Sequence, residues 1–305
     1  MISTLLHHVE TRMILATSVA RESENAVCRA IHHHLGAGGG RVRARFCLHA
    51  SLQLGLGMSD AVTLATTCEL LHNASLIQDD LIDRASPRRG IPSVWAAFDD
   101  ATAICAGDLL LSSAFACAAE LEKAHLLPAV MKLIGTRTRD VVLGQVAERG
   151  AAPSSLAEYE VLALGKSAAL LMLPIELPLL MIDGKEHLKL AQRAAEAFAV
   201  AYQMADDLED YDQDLEAGSL NAVSVALSCG EQTVLAARSA ICERASKLLA
   251  EAIRLSIALP FDCAGILRSH AQQMLSAFTK EDRLRPERER VMQYAGLESL
   301  SSVQV

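Results

Sequence analysis

Two copies of the motif Asp-Asp-x-x-Asp constrain this chain more strongly than any other feature of its sequence. The first copy comprises Asp79, Asp80 and Asp83, and the second comprises Asp206, Asp207 and Asp210. Each copy lies near the end of a long apolar segment without glycine or proline, and in the first segment apolar residues recur at helical spacing. The pattern predicts two long helices, each carrying three clustered carboxylates near its carboxyl end.

Carboxylates clustered at the carboxyl end of a helix are unfavourable, because they repel one another and because the helix dipole already places negative charge there. Hard divalent cations remove this cost, and Mg²⁺ typically takes one or two carboxylates together with phosphate oxygens. A single motif of this kind is usually an acidic, solvated helix end. Two copies in one chain favour a magnesium site that holds a diphosphate.

The composition favours one large all-α domain over residues 1–305. Hydrophobic residues make up 51% of the chain, which is enough for a large core without disulfides or a structural metal. Only 4% of the residues are aromatic, and alanine and leucine dominate, which suits helices better than a β-sandwich or barrel. No linker divides the chain. We therefore predict a single helical bundle of the all-α class with a central cavity.

Glycine, proline and capping residues set the predicted helix boundaries. One helix is predicted over 1–34, ended by the glycine-rich turn 36–40, and a second over about 41–55. Ser59 and Asp60 are the predicted N-caps of the helix that carries the first motif. Further helical stretches are predicted over 99–122, 126–149, 156–182, 185–217 and 219–278, followed by a charged surface segment or tail over 280–290.

Charge, cysteine spacing and hydropathy indicate which kinds of molecule the protein binds and in which cellular compartment it lies. The formal charge of −9 and the pI near 5.6, without a basic stripe, argue against nucleic-acid binding. The eight cysteines form no CxxC pair, which predicts reduced, buried thiols in a cytoplasmic protein. The N-terminus lacks the basic region of a signal peptide. The apolar stretch 168–182 is too short to span a bilayer and contains two prolines, so it predicts a buried, kinked helix.

A pair of arginines, Arg88 and Arg89, follows the first motif on a loop rich in glycine and proline, where both side chains can reach phosphate oxygens. The segment from Leu71 to Pro92 resembles the first aspartate-rich region of the trans-isoprenyl diphosphate synthases, the polyprenyl synthetase family. Four further landmarks of that family occur in order along the chain, the first of them before this segment: Gly39-Gly-Arg-Val-Arg43, Ala106-Gly-Asp-Leu-Leu110, Lys166-Ser167, and the second aspartate motif preceded by Gln203. The resemblance covers nearly the whole chain.

The resemblance implies an isoprenoid synthase fold, about three Mg²⁺ ions per active site, and isopentenyl diphosphate and an allylic diphosphate as substrates. It assigns metal binding to Asp79, Asp80, Asp83, Asp206, Asp207 and Asp210. It assigns catalysis to the same aspartates except Asp210, together with Lys166. It assigns Arg43, His72 and Arg89 to the isopentenyl site, and Arg88, Lys166, Ser167 and Gln203 to the allylic site, where Lys166 also neutralises the departing diphosphate. A homodimer is expected, as is common in the family.

The resemblance also implies how the product length is set, since side chains below the first motif plug or open a tunnel along the helix. Ala74 and Ser75, one turn before Asp79, are both small. An open tunnel indicates products beyond C15, and we predict geranylgeranyl diphosphate. Farnesyl and longer polyprenyl diphosphates stay open at this stage.

The sequence departs from the family pattern at several cationic positions. Gly40 replaces a lysine of the isopentenyl site, and Arg41 beside it is a partial substitute. Gln213 and Ser219 lie where a lysine-bearing loop would follow the second motif, and Gln78 replaces a histidine common before the first one. These losses would weaken diphosphate binding or alter the substrate.

Two other functions remain open on the sequence. A class I terpene cyclase would ionise a prenyl diphosphate without isopentenyl diphosphate, but cyclases typically lack a second-substrate site and carry many aromatic residues. A non-catalytic partner subunit of a prenyltransferase would usually have lost one aspartate motif, and both are intact here. The elongating enzyme is therefore the favoured prediction.

Overall fold

Every regular element of the described part of the chain is a helix. The computed structural model describes residues 1–18, 25–148, 150 and 152–278, without the side chains of residues 148, 166, 167 and 217. The only strand-like pairing in these residues is an isolated bridge between Arg88 and Ile91. The predicted all-α class is confirmed, whereas the central cavity stays a prediction. The charged segment predicted over 280–290 lies outside the described residues.

Fourteen α-helices follow one another in this part of the chain. They are α1 (Ile2–Thr17), α2 (Ala26–Gly36), α3 (Val42–Gln53), α4 (Met58–Asp83), α5 (Val94–Ala97), α6 (Asp100–Ala118), α7 (Leu127–Glu148), α8 (Leu156–Ala163), α9 (Ala169–Met181), α10 (Leu188–Glu209), α11 (Tyr211–Ala217), α12 (Ala222–Ser228), α13 (Val234–Ile257) and α14 (Gly265–Ala277). A π-helical turn, Leu164–Ala168, joins α8 to α9.

Contacts between residues divide the chain into two compact units. Among the described residues, the first unit comprises 1–135 and 173–185, and the second comprises 136–172 and 186–278. In the first unit α4 is central and packs against α1, α3 and α6. In the second unit α10 packs along α13, which also contacts α12 and α14. The single domain over 1–305 stays a prediction.

The predicted N-terminal helix over 1–34 is wrong, because two helices, α1 and α2, occupy this region. Helix α2 begins after Asn25, whose side-chain oxygen accepts hydrogen bonds from the amides of Val27 and Cys28 at 2.9 and 3.3 Å. An asparagine in this position satisfies amide groups that the first turn of a helix leaves unpaired. Asn25 therefore marks a helix start that the apolar pattern alone does not reveal.

The predicted caps of the long helix are also wrong, since α4 begins at Met58 with Gly57 as its N-cap. Asp60 is buried within the first turn, and its carboxylate accepts a hydrogen bond from the amide of Glu122 at 3.1 Å. The residue type that favours a cap here instead serves a distant backbone group of the same unit. The helix still carries the first motif at its end, as predicted.

The other long predicted helices are present but interrupted. The stretch 156–182 consists of α8, the π turn and α9, and α9 is buried and contains Pro174 and Pro178. The stretch 185–217 breaks at Asp210, between α10 and α11. The stretch 219–278 contains α12, α13 and α14, separated by turns. Of the eight free cysteines, Cys105 and Cys229 are exposed rather than buried as predicted.

Helix α6 is the one described helix that is long and apolar enough to cross a membrane, with 44% of its apolar window buried. Its apolar composition has a structural use, because α6 packs along α4 within the first unit. Core helices meet the same criteria of length and composition. The absence of a membrane span stays a prediction.

Candidate active site

The carboxylates of the first motif lie in three different environments at the end of α4. Asp80 is 2% exposed, Asp79 is partly buried with 22% of its side chain exposed, and Asp83 is exposed. Asp80 forms two buried hydrogen bonds with Arg88, from Nε to Oδ2 at 2.5 Å and from Nη2 to Oδ1 at 2.6 Å. Burial raises the pKa of Asp80, and the hydrogen bonds and charge of Arg88 oppose that rise.

A tight turn brings both predicted arginines to the end of α4. The amide of Arg88 donates to the carbonyl of Ile91 at 2.8 Å, and the amide of Ile91 donates back at 3.1 Å. The two residues between them, Arg89 and Gly90, have positive φ of 50° and 77°, as a type I′ turn requires. The turn therefore holds Arg88 and Arg89 on a short, hydrogen-bonded loop.

Arg89 rests on the glycine-rich turn that precedes α3. Its Nη1 atom donates to the carbonyl of Gly38, and its guanidinium covers Gly39. Gly39 has a φ of 134°, and a Cβ atom there would lie 2.7 Å from the Arg89 Cζ. Glycine is required at this position both by the backbone conformation and by the approach of the guanidinium.

Arg43 and His72 form a second contact between α3 and α4. Nη1 of Arg43 donates to Nε2 of His72 at 3.0 Å, so the histidine accepts through a neutral ring nitrogen. Burial and the charges of Arg43, Arg89 and Arg88 hold the pKa of His72 well below its usual value. The two residues predicted from the GGRVR segment and from α4 are thus brought together.

Sequence reasoning missed two buried polar residues of the same unit, His34 and Asn73. Their side chains are joined by a hydrogen bond of 3.0 Å between Nε2 and Oδ1, and both are buried. Burial, together with the charges of Arg89 and Arg88, lowers the pKa of His34 to about 3. The available signal was the run of three histidines, 32–34, directly before the glycine-rich turn.

The first unit thereby gathers four arginines, two of which are paired with carboxylates, Arg88 with Asp80 and Arg41 with Glu10. Burial, with Arg41 and Arg88 nearby, lowers the pKa of Arg89 to about 10. Nη1 of Arg88 and Nε of Arg89 are buried without a hydrogen-bond partner in the described part of the chain. A buried donor atom without an acceptor is costly, and an anion would satisfy it. We call Arg41, Arg43, Arg88 and Arg89 the arginine cluster.

The second motif lies at the end of α10 in the second unit, where Asp207 is fully engaged with protein donors. Its Oδ2 accepts from the Tyr159 hydroxyl at 2.7 Å and from the Ala222 amide at 2.6 Å. Its Oδ1 accepts from Nε2 of Gln203 at 2.9 Å. These bonds tie α10 to α8 and to the start of α12. Gln203, a predicted allylic-site residue, is therefore placed beside the motif.

Asn221 extends this network on the far side of Asp207. Its Nδ2 atom donates to the carbonyl of Asp207 at 2.7 Å and to Oδ2 of Asp214 at 2.8 Å. Its Oδ1 atom accepts a hydrogen bond from the amide of Val223, in the first turn of α12. Asp214 and Asn221 are both buried. The network fixes the segment that follows the second motif although no lysine is present there.

Asp206 differs from its neighbour, since its carboxylate is partly exposed and strongly destabilised as an anion. Burial and the charges of Asp210 and Asp207 raise its pKa to about 8, whereas burial raises that of Asp207 only to about 6 because Gln203 and Tyr159 donate to it. Burial and acidic neighbours favour the protonated form of such a carboxyl group. A bound cation favours the ionised form, so the group loses its proton and becomes a metal ligand. This donor set of carboxylate oxygens suits Mg²⁺.

No group of three or more His, Cys, Asp or Glu side chains within the described ranges is close enough to hold a metal by protein ligands alone. The six aspartates predicted as metal ligands therefore form no preformed metal site in these residues, and Mg²⁺ binding stays a prediction. Asp206 and Asp79 are each partly exposed, so their carboxylate oxygens can reach a solvated Mg²⁺ ion. Asp80 and Asp207 could coordinate only by giving up bonds to Arg88 or to Tyr159.

Lys166 and Ser167 lie on the π turn between α8 and α9, and their side chains are outside the described part of the structure. The turn touches α7 through two glycines: a Cβ at Gly144 would overlap the carbonyl of Gly165, and a Cβ at Gly165 would lie 3.0 Å from the Gly144 Cα. Short π segments inserted in helices frequently mark functional sites. Two glycines therefore allow the close crossing that positions this turn.

Comparison with known proteins places these residues in a family context. The Polyprenyl synthetase family model matches residues 24–254. The all-trans-nonaprenyl-diphosphate synthase (geranyl-diphosphate specific) of Rhodobacter capsulatus is 32% identical over 188 residues, covering 60% of this chain and 57% of that protein. The (2E,6E)-farnesyl diphosphate synthase of Mycobacterium tuberculosis is 33% identical over 174 residues, covering 56% of this chain and 48% of that protein. The chloroplastic geranylgeranyl pyrophosphate synthase 11 of Arabidopsis thaliana is 32% identical over 210 residues, covering 64% and 59% respectively.

The chain thus spans about half to three fifths of the length of these curated relatives. Among solved structures, a geranylgeranyl pyrophosphate synthetase from Pyrococcus horikoshii has a TM-score of 0.81 at 21% identity, covering 90% of this chain and 96% of that one. A decaprenyl diphosphate synthase from Rhodobacter capsulatus has a TM-score of 0.78 at 20% identity, covering 92% and 98%. At these identities the structures show a common all-α fold.

Proposed function

Because the chain belongs to the polyprenyl synthetase family, we propose that it is a magnesium-dependent trans-prenyltransferase that condenses isopentenyl diphosphate with an allylic diphosphate. The observation that carries the proposal is the combination of two intact aspartate motifs with an arginine cluster in which two buried donor atoms, Nη1 of Arg88 and Nε of Arg89, have no acceptor among the described residues. The motifs suit a metal-bound diphosphate, and the cluster suits a second diphosphate bound without metal. An enzyme that joins two diphosphate substrates needs both.

The isopentenyl diphosphate is assigned to the arginine cluster. Arg89 and Arg43 would bind its phosphate oxygens, and His72 would orient Arg43 through the hydrogen bond of 3.0 Å. The turn of Arg89 and Gly90 fixes the direction of the guanidinium, which lowers the entropic cost of binding. Arg88 is assigned to the allylic diphosphate, with its unpaired Nη1 as the donor.

The allylic diphosphate is further assigned to the aspartate motifs, with Asp79, Asp83, Asp206 and Asp210 as the metal ligands and Lys166, Ser167 and Gln203 beside them. Bound Mg²⁺, about three ions per site by family likeness, would stabilise the charge that builds on the leaving diphosphate. Asp80 and Asp207, the two carboxylates already held by protein donors, would orient Arg88 and the end of α10. The apolar walls of the helices would exclude water from the allylic cation.

For the product we propose geranylgeranyl diphosphate, with farnesyl and longer products as alternatives. The similar proteins include farnesyl, geranylgeranyl and nonaprenyl diphosphate synthases. Sequence similarity alone therefore does not identify the product length. Ser75 supports a longer product, because it is small and half-buried on α4 one turn before Asp79. Ala74 is buried in the core of the unit.

A homodimer is proposed on the exposed face of α6. The exposed positions on this helix include Ala101, Ile104, Cys105, Asp108, Ser112 and Ala116, which recur at helical spacing and are mostly small or apolar. Ile104 alone is 52% exposed. A second copy would bury this face, and Ile104→Asp is expected to shift the mass measured by light scattering from dimer to monomer. The cytoplasmic location of the protein remains a proposal from its cysteine usage.

The decisive test is incubation of the purified protein with Mg²⁺, isopentenyl diphosphate and each allylic diphosphate in turn, followed by dephosphorylation and sizing of the alcohols. We expect a C20 alcohol, lost with EDTA and with Asp206→Asn. Failure to consume isopentenyl diphosphate with every starter would overturn the proposal. A cyclic hydrocarbon from an allylic diphosphate alone would indicate a terpene cyclase, and no product at all would indicate a partner subunit.

A further inference from the structure

His34 lies in the last turn of α2 with 4% of its surface exposed, among the arginines of the first unit. The hydrogen bonds around it fix which ring nitrogen carries the proton. Nδ2 of Asn73 donates to the carbonyl of Glu69 at 2.7 Å, which directs Oδ1 of Asn73, an acceptor, toward His34. Nε2 of His34 is therefore the donor, and its neutral ring has the lone pair on Nδ1.

His72, a half-buried histidine bonded to Arg43, has the opposite arrangement. Its Nε2 accepts from Arg43, so a proton added at that atom would break the bond and set two donors against each other. A proton added to Nδ1 of His34 leaves the bond from Nε2 to Asn73 intact. Of the two histidines, His34 is the one whose hydrogen bonding already fits the charged form.

The local field decides when that proton can bind. In the ligand-free protein, burial and the positive charges of Arg89, Arg88 and Arg41 keep His34 neutral. A diphosphate bound to these arginines would carry several negative charges into the same low-dielectric region, where a charge acts more strongly than in water. The field at His34 would then favour the imidazolium instead of opposing it.

Arg41, a further arginine whose charge acts on His34, already has partners for its side chain. Its Nε is paired with Oε1 of Glu10 at 3.2 Å, and it has a left-handed φ of 49° at the N-cap of α3. Its Nη1 and Nη2 atoms donate at 3.4 Å to the carbonyls of Gly38 and Leu35. A further cation would therefore have to come from a group that is neutral before the ligand binds.

We propose that His34 takes up a proton when a diphosphate binds the arginine cluster, and so supplies additional positive charge to that site. The inference rests on the proposed function, because it takes the cluster to be a diphosphate site. The proton comes from a buffer acid, whose bond to hydrogen breaks as the Nδ1–H bond forms, and it returns to the buffer base when the diphosphate leaves. His34 thus acts as a cation that is present only in the bound state.

The charged and titratable groups on His34's own helix are Cys28, Arg29, His32 and His33. Those on the surrounding elements include Glu10 and Arg12 on α1, Arg41, Arg43 and Arg45 on α3, Cys68, Glu69, His72, Asp79, Asp80 and Asp83 on α4, Arg88 and Arg89 on the turn, and Asp100 and Asp108 on α6. Glu10 is paired with Arg41, Asp80 with Arg88, and Asp100 with Arg84. Glu69 accepts a hydrogen bond from the amide of Ala44 at 2.9 Å. The variant His34→Gln keeps a donor for Asn73 but cannot be protonated, so it isolates the contribution of His34.

The first experiment is calorimetric titration of isopentenyl diphosphate, with Mg²⁺ present and no allylic substrate, in two buffers of different ionisation enthalpy at pH 7. The dependence of the measured enthalpy on the buffer gives the number of protons taken up. We expect the wild type to take up about one proton more than His34→Gln, because the ligand's own ionisation cancels in the difference. Equal proton uptake by the two proteins would overturn the inference.

A measurement on the wild type alone covers the case in which His34→Gln fails to fold. With labelled histidine, the ring-nitrogen resonances of His34 should move from neutral to imidazolium values when isopentenyl diphosphate is added. Ring nitrogens that stay neutral in the bound protein would equally overturn the inference. Absence of any binding in both experiments would instead overturn the proposed function, on which the inference depends.

A permanent cation should make His34 dispensable. Gly40 has no positive φ, unlike Gly38 and Gly39, so Gly40→Lys can be introduced without backbone strain. We expect His34→Gln to raise the KM for isopentenyl diphosphate about tenfold at pH 7, with a smaller effect on kcat, and to raise it less than about twofold in the Gly40→Lys background. The wild-type KM should rise with pH as the proton is lost, whereas that of His34→Gln should not. An equal rise of the KM in the wild-type and Gly40→Lys backgrounds, with a pH dependence that His34→Gln leaves unchanged, would show that His34 has only a structural role.

Discussion

Arg88 and Asp80 are joined by two buried hydrogen bonds, from Nε to Oδ2 at 2.5 Å and from Nη2 to Oδ1 at 2.6 Å, while Nη1 of the same arginine has no partner among the residues that the structure describes. One carboxylate of the first motif is therefore used to hold an arginine, and the arginine keeps one donor for an incoming anion. The sequence alone does not distinguish the three aspartates of this motif. In the structure they differ in burial, and the buried one, Asp80, is the one that holds the arginine.

The buried pair predicts a large coupling energy for folding. Asp80→Leu or Arg88→Met alone would leave a buried charge without its partner and destabilise the protein by about 3–5 kcal/mol. The double variant should be less destabilised than the sum of the single ones, by about 1–3 kcal/mol. Urea unfolding of the four proteins, followed by circular dichroism, measures this.

The exposed pair Arg84–Asp100 is the matched control, since it is also bidentate at 2.7 Å but its side chains are 56% and 52% exposed. The same cycle there should give a coupling below about 1 kcal/mol. Additive effects at Asp80 and Arg88 would contradict the prediction.

The contact between Arg89 and Gly39 predicts a selective loss of substrate affinity. Gly39→Ala would place a methyl group against the guanidinium, 2.7 Å from Cζ, and displace it from the turn. We expect the KM for isopentenyl diphosphate to rise about tenfold or more, with a smaller change in kcat. Gly38→Ala is the control, because Gly38 also has a positive φ but nothing lies within 4 Å of the added atom. Similar kinetics in the two variants would show that backbone strain, and not Arg89, is responsible.

Much of this site could be predicted from sequence, because its framework depends on local patterns. The uninterrupted apolar segments gave α4 and α10, and the aspartate spacing placed the motifs at their ends. The misses depend on tertiary partners that no local pattern reveals. Asp60 serves the amide of Glu122 rather than its own helix, and Asp207 is saturated by groups from α8 and α12. His34 was missed because its role follows from burial among arginines that are distant in sequence.

The close crossing at Gly144 and Gly165 predicts opposite effects of two alanine substitutions on α7. Gly144→Ala would overlap the Gly165 carbonyl and displace the π turn that carries Lys166 and Ser167. We expect loss of stability by about 1–3 kcal/mol and a fall in kcat. Gly135→Ala, where the added atom meets nothing within 4 Å, should instead stabilise the helix by about 0.5–1 kcal/mol. Thermal unfolding and steady-state kinetics test both variants. Equal stability and equal kcat in the two variants would contradict the close contact between Gly144 and Gly165.

The protonation of Asp206 predicts how the metal-free protein responds to pH. Its pKa is raised from 3.8 to about 8, mainly by burial and by Asp210 and Asp207, so the native state keeps a proton that the unfolded chain has lost. Raising the pH from 6.5 to 8 should therefore lower the free energy of unfolding, with a slope of up to about 1.4 kcal/mol per pH unit for one proton. Unfolding in urea with EDTA measures this slope, and Asp206→Asn should flatten it. An unchanged slope in the variant would assign the effect to another group.

The position of Ser75 predicts a change in product length. Ser75 lies one turn before Asp79 and is half-buried, with its hydroxyl donating to the carbonyl of His72 at 2.8 Å. A phenylalanine there can extend beside the motif without entering the packed core, and it would block a growing chain. We expect Ser75→Phe to shift the main product from C20 to C15 while the protein keeps its stability, as sized after dephosphorylation. Ala74→Phe is the contrasting variant, because Ala74 is 3% exposed and a large side chain would overpack the core at a cost of about 1–3 kcal/mol. A C20 product from a stable Ser75→Phe protein would move the chain-length determinant away from this face of α4.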